Sequence, residues 1–268
     1  MRLFFGSAVM TTALTALAAA AGLVSDTIYR DNALVRAGWW GNDMVTLFLA
    51  VPLLAATIGM ARQGSRRGLL VCIGLLAYAA YNYAFYLFGA AFNDLFLVYV
   101  GILSFATLGL IGGLSSSQLQ AQAQRIPMQR SDRVIGSLIV GVASFLGLFW
   151  ISTSVTFLFT GEVPAMVTAT AHPTNVTGAL DLWLVVTFGL LGGSWLLREW
   201  KWGFIISAVW TVKGALYMTA LSAASISAFA RGASDSLIQL GLWIPIGAVC
   251  LVGTFVLLRP GGPSEALT

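Results

Sequence analysis

Apolar blocks of about 20 residues recur from one end of this chain to the other, separated by short polar punctuation. Such a block carries an α-helix across about 30 Å of hydrocarbon, where each backbone N–H and C=O must be satisfied inside the segment. A spanning β-barrel reads differently, as alternating segments of about ten residues. Of 268 residues, 58% are hydrophobic and 9% charged, against about 25% charged in an ordinary soluble domain. The expected class is therefore all-α, a polytopic transmembrane helix bundle of about eight spans.

Read block by block, the spans fall at about 4–24, 42–61, 68–91, 94–114, 134–160, 179–198, 202–229 and 238–258. Residues 1–114 form a first transmembrane unit of four helices and 134–258 a second. The Gln/Ser-rich stretch 115–133 links them, and 259–268 is a flexible tail. Two long loops, 25–41 and 161–178, carry most of the remaining polar residues. A faint duplication relates the halves. Gly41-Asn42-Asp43 opens the second span and Gly178-Ala179-Leu180-Asp181 the sixth; each helix ends in a short basic turn before Gly68 or Gly203. Four spans per unit is an even number, so the units would be parallel, related by an axis along the membrane normal.

The basic residues set the expected orientation. With the N-terminus inside, the inner side holds Arg2, Arg62, Arg66, Arg67, Arg125, Arg130, Arg133, Arg198, Lys201 and Arg259, and the outer side only Arg30, Arg36 and Arg231. Lys/Arg excess marks the cytoplasmic face, which places both termini there. The net charge of +4 then reflects topology, with no need for nucleic acid as a partner. Arg2, the apolar run and Ala18–Ala21 also fit a signal peptide, whose removal would leave seven spans. Cys72 and Cys250 fall inside spans and the chain has a single His, so a metal site built by this chain alone is not expected. No cofactor is specified.

Polar residues inside the spans carry the functional signal. Lys213 lies 11 residues past Trp202, roughly 16 Å from the inner boundary, where a lysine costs about 2.5–3.5 kcal/mol. It must be paired, deprotonated or facing a wet cavity. Asp181 and Asn82 come out at about 25 and 21 Å on the same rise, which places them with Lys213 around one pocket open to the outer side. Asp43 is a further candidate, and Tyr78 and Tyr81 belong to an aromatic run over 78–92 with Asn82 in its middle. The simpler accounts are a lysine held by carbonyls, aspartates that cap the first turn of their helices, and tyrosines that pack. His172 reads as an exposed loop residue.

The run Tyr81-Asn82-Tyr83-Ala84-Phe85-Tyr86-Leu87-Phe88-Gly89-Ala90-Ala91-Phe92-Asn93 resembles a stretch in a group of uncharacterised bacterial multi-pass membrane proteins. The group is also similar at Tyr29-Arg30-Asp31-Asn32, Pro173-Thr174-Asn175 and Leu180-Asp181-Leu182. One departure is Asn42, where the group carries Gln before the aspartate. The resemblance implies a bacterial inner-membrane protein with a polar outer face, and implies no substrate or reaction.

Three functions fit these residues: a transporter or permease with Lys213 at its centre and a small-molecule or ion ligand, a membrane-embedded enzyme acting on lipid, or a receptor. In the last, Lys213 would hold a chromophore as a Schiff base, although Val209 stands where an acidic partner one turn earlier would be. An accessory subunit of a membrane complex is a fourth.

Overall fold

The computed structural model describes residues 1–25, 27–116, 119 and 129–259. The expected tail beyond 259 and most of the expected linker lie outside the described residues. Among the described residues eight helices are long and apolar enough to cross a bilayer: α1 Arg2–Val24, α2 Ala33–Arg62, α3 Arg66–Gly89, α4 Phe96–Leu114, α5 Arg130–Thr160, α6 Val176–Leu197, α7 Lys201–Ala230 and α8 Leu240–Leu257. No strand occurs among the described residues. Large apolar side chains such as Leu97, Leu148, Phe159 and Phe255 are exposed on the outside of the bundle, as lipid requires.

The helices form two rings. Helices α1 to α4 touch in sequence order and α4 returns to α1; α5 to α8 do the same, with α8 returning to α5. Helix α7 then packs on α2 and α3, and the start of α6 touches α3. Helices α3 and α7 are consequently central: 78% and 67% of their most apolar stretches are buried, against 17–39% elsewhere.

Helix α2 starts nine residues before the expected position, because the Asn32 side chain accepts from Val35 N (3.0 Å) and caps it. Helix α6 is capped in the same way by Asn175, which accepts from Gly178 N (2.9 Å). Asp43 therefore lies in the third turn of its helix and Asp181 in the second. Capping, the simpler account of both aspartates, does not apply to either.

Both helices contain a π-helical turn at or just after the aspartate, Thr46–Ala50 in α2 and Asp181–Val186 in α6. In α2 the cause is Pro52, which has no N–H to offer the carbonyl one turn back. In α6 the loosened carbonyls are taken by side chains: Thr187 Oγ1 donates to Leu182 O (2.9 Å) and Trp210 Nε1 to Val185 O (2.9 Å).

Glycines set the tightest crossings. At the basic end, a Cβ on Gly68 would lie 2.5 Å from Met60 Cβ, and one on Gly203 would overlap the backbone of Trp195 and Leu196. The α1–α4 seam closes on Gly112, whose Cβ position is 3.2 Å from Phe4 N, and on Gly113 against Phe4 and Ile73. The α5–α8 seam is different. It is tied at the basic end, where Arg259 reaches Asp132 (3.2 Å) and Ser131 (2.8 Å), and it opens toward the other end.

Gly203→Ala is expected to lower the apparent melting temperature of the purified protein by several degrees, because backbone must move to admit the methyl group. Gly141→Ala, whose Cβ meets nothing within 4 Å in mid-α5, should leave it unchanged or raise it. A scanning melt of both variants checks the pair.

Candidate functional site

Asp43 and Asp181 are both buried, and both take hydrogen bonds from tyrosines of α3. The helical spacing of the 78–92 run points these tyrosines in two directions. Tyr86 donates to Asp43 Oδ1 (2.8 Å), while Tyr81 donates to Asp181 Oδ1 (2.5 Å). Tyr29, in the loop after α1, supplies the second donor to Asp43, at Oδ2 (2.5 Å). Burial, and then the charge of Asp43, hold the Tyr29 hydroxyl well above its ordinary pKa, so it remains a donor. Gly22 lets this pair approach α1, since a Cβ there would overlap Tyr29 and Asp43 Oδ2.

Around Asp43 a neutral network continues. Asn42 Nδ2 donates to Asn82 Oδ1 (3.0 Å) and to the Tyr86 hydroxyl (2.9 Å), and Tyr78 pairs with Thr46 (2.8 Å). Asp43, both of whose oxygens accept, thus sits in a nest of polar side chains between α1, α2 and α3.

Asp181 has a different setting. Its Oδ2 accepts from Trp150 Nε1 of α5 (2.9 Å), and Lys213 of α7 stands close by. Lys213 Nζ lies 3.5 Å from the centroid of the Tyr81 ring and 4.6 Å from that of Tyr217. The two rings meet edge to face with centroids 4.6 Å apart. Among the described residues Lys213 has no hydrogen bond, and no carboxylate oxygen comes within 4.0 Å of it. Two aromatic faces hold the ammonium group by cation–π attraction, worth about 2 kcal/mol or more when desolvated. Tyr81 couples the charges: its ring carries Lys213 and its hydroxyl carries Asp181.

Lys213 and Asp181 line one cavity of about 310 Å³ between α5, α6, α7 and α8. Its walls are mainly apolar and aromatic: Phe145 and Phe149 from α5, Leu242, Trp243 and Ile246 from α8. These are the segments where the α5–α8 seam stands open, and Phe145 and Phe149 are themselves exposed to the lipid side. On its other flank Lys213 borders a second apolar cavity of about 200 Å³, beside Leu110, Leu184 and Phe188.

The sequence candidates thus divide. Lys213, Asp181 and Tyr81 meet at one site; Asp43, Tyr78 and Asn82 belong to the neighbouring network. Sequence reading missed Trp150, Tyr217 and Asn42. Tyr217 stands four residues after Lys213, one helical turn on, and Asn42 precedes Asp43, so local signals existed for both. Trp150 is a mid-span tryptophan, away from the interfacial belt where Trp is expected. His172 is not the exposed loop residue the sequence suggests: it is half-buried, edge-on to Phe85 with ring centroids 5.7 Å apart.

No family model, curated protein or solved structure matches this chain in comparison with known proteins. The site rests on its geometry.

Tyr81→Phe keeps the ring under Lys213 and removes the donor to Asp181. It should destabilise the protein by about 1–3 kcal/mol, while Tyr81→Leu, which also removes the cation–π face, should cost more. Thermal melts of the two variants read the difference.

Proposed function

We propose that this polytopic membrane protein is a permease-like carrier of organic anions with an apolar body, and that Lys213 binds the anionic group. The carrying observation is the Lys213 ammonium, which borders a cavity of about 310 Å³ and has, among the described residues, neither hydrogen bond nor ion pair to satisfy it. A cation in hydrocarbon needs a counter-charge. With the cavity empty, Asp181 is the nearest one. When a substrate anion takes that place, Asp181 becomes the excess negative charge and accepts a proton. The site stays neutral in both states, and the anion moves together with one proton.

The aromatic walls and the open α5–α8 seam support a substrate that is partly apolar and reaches the site from within the bilayer. The matching neighbour order of the two rings, each with a tyrosine-bonded aspartate beside a π-helical turn, supports two parallel repeat units. We place the protein in a bacterial inner membrane, by its resemblance, with the basic end and both termini in the cytoplasm, by its charge asymmetry.

The test uses protein in liposomes and naphthalene-1-sulfonate, a permanent anion on an apolar ring system. Wild type should bind it saturably and accumulate it down an imposed proton gradient. Lys213→Ala should lose at least about tenfold in affinity while remaining folded. Asp181→Asn should exchange the anion without response to the proton gradient. Equal binding and flux in wild type and Lys213→Ala, or no saturable binding by wild type, contradicts the proposal.

A further inference from the structure

A smaller cavity of about 160 Å³ lies between α2, α3 and α7, under the loop that joins α5 to α6. Asn82 forms part of its floor and His172 part of its roof, with Trp39, Phe85 and Tyr217 among its walls. Two buried polar atoms on these residues have no hydrogen-bond partner, Asn82 Nδ2 and His172 Nε2. Asn82 as a whole is 1% exposed. A buried polar atom left unpaired is costly, and here one such atom at each end borders the same space.

The orientation of the Asn82 amide is fixed by its neighbours. Its Oδ1 accepts from Asn42 Nδ2, whose own Oδ1 takes the Tyr78 hydroxyl (3.4 Å). Flipping Asn82 would set two NH₂ groups face to face, so the cavity floor presents a donor. No charged side chain lines this cavity. Burial lowers the His172 pKa from its ordinary value, against the opposing pull of Asp31, so the roof is a neutral imidazole at pH 7. A volume of about 150 Å³ accepts a six-membered ring such as benzene.

We infer that this cavity is a second ligand site, taking an uncharged molecule of about six to eight heavy atoms whose carbonyl-type oxygen accepts from Asn82 Nδ2 and whose far end meets His172 Nε2. The site is distinct from the one at Lys213. It lies across the wall formed by Phe85, Tyr217 and Leu221, which line both cavities. A charged substrate belongs on the Lys213 side of that wall and a neutral one on the Asn82 side.

The probe is 2-piperidone, a neutral, water-soluble lactam of seven heavy atoms, added to the full chain in nanodiscs and followed by saturation-transfer NMR. Wild type should give a saturable signal. Gly38→Leu should abolish it with no loss of folding: Gly38 lines the cavity, a Cβ there meets only Ala224 Cβ at 3.9 Å, and leucine favours the helix. Asn82→Leu should weaken binding at least about tenfold. Lys213→Ala should leave it unchanged, which separates this site from the carrier proposal. Absence of a saturable signal with wild type, as for a cavity that holds water only, overturns the inference. So does equal binding by wild type and Gly38→Leu.

Discussion

A lysine ammonium in the middle of a bilayer is the constraint around which the rest of this structure is arranged. Hydrocarbon offers it no water, and at the depth of Lys213 the side chain is too short to reach either surface comfortably. The protein gives it two tyrosine faces and a carboxylate beyond ion-pair distance. That arrangement accounts for several features at once. Tyr81 must present its ring to one group and its hydroxyl to the other, so α3 must lie against both α7 and the start of α6. Asp181 must be held by donors that do not cancel its charge, which is what Tyr81 and Trp150 provide.

The two halves share a plan and differ where it matters. In the first ring, Gly112 and Gly113 bring α4 onto Phe4 of α1, and the seam is sealed. Its aspartate, Asp43, meets two tyrosine hydroxyls and, among the described residues, no cation. In the second ring the equivalent seam is pinned at the basic end by Arg259 and Asp132 and lined further along by large side chains that do not close it. The first seam is shut, and the second leaves room beside Lys213. In Tyr29-Arg30-Asp31-Asn32 the first three residues fasten the first half internally and the fourth ties it to the segment between α5 and α6. Tyr29 bonds Asp43, Arg30 pairs with Asp94, Asp31 accepts from Ala91 N, and Asn32 donates to the carbonyl of Ala169.

The span count and the mid-span position of Lys213 were legible in the sequence, because both follow from the length of apolar blocks and a rise of 1.5 Å per residue. Which residues face one another was not. A span such as α7 is apolar around its whole circumference, so no periodicity reports its rotation, and only packing against α2, α3 and α8 settles it. That is why Asn82, well placed by height, turned out to face α2 instead of Lys213, and why Trp150 went unnoticed. The start of α2 was hidden for a simpler reason: its first turns carry Arg36, Gly38 and Gly41, which interrupt the apolar run, so hydropathy alone begins the helix too late.

Charge balance between Lys213 and Asp181 is the claim on which the account turns, and a double-mutant cycle on stability tests it most directly. The variants are Lys213→Met, Asp181→Asn and the double substitution, each followed by reversible denaturation in detergent. If the two groups balance one another, either single change strands the remaining charge. Asp181→Asn then costs less in the Lys213→Met background than in wild type, with a coupling of about 1–3 kcal/mol. Costs that add to within about 0.5 kcal/mol would mean that the two charges do not sense each other, and would contradict the account.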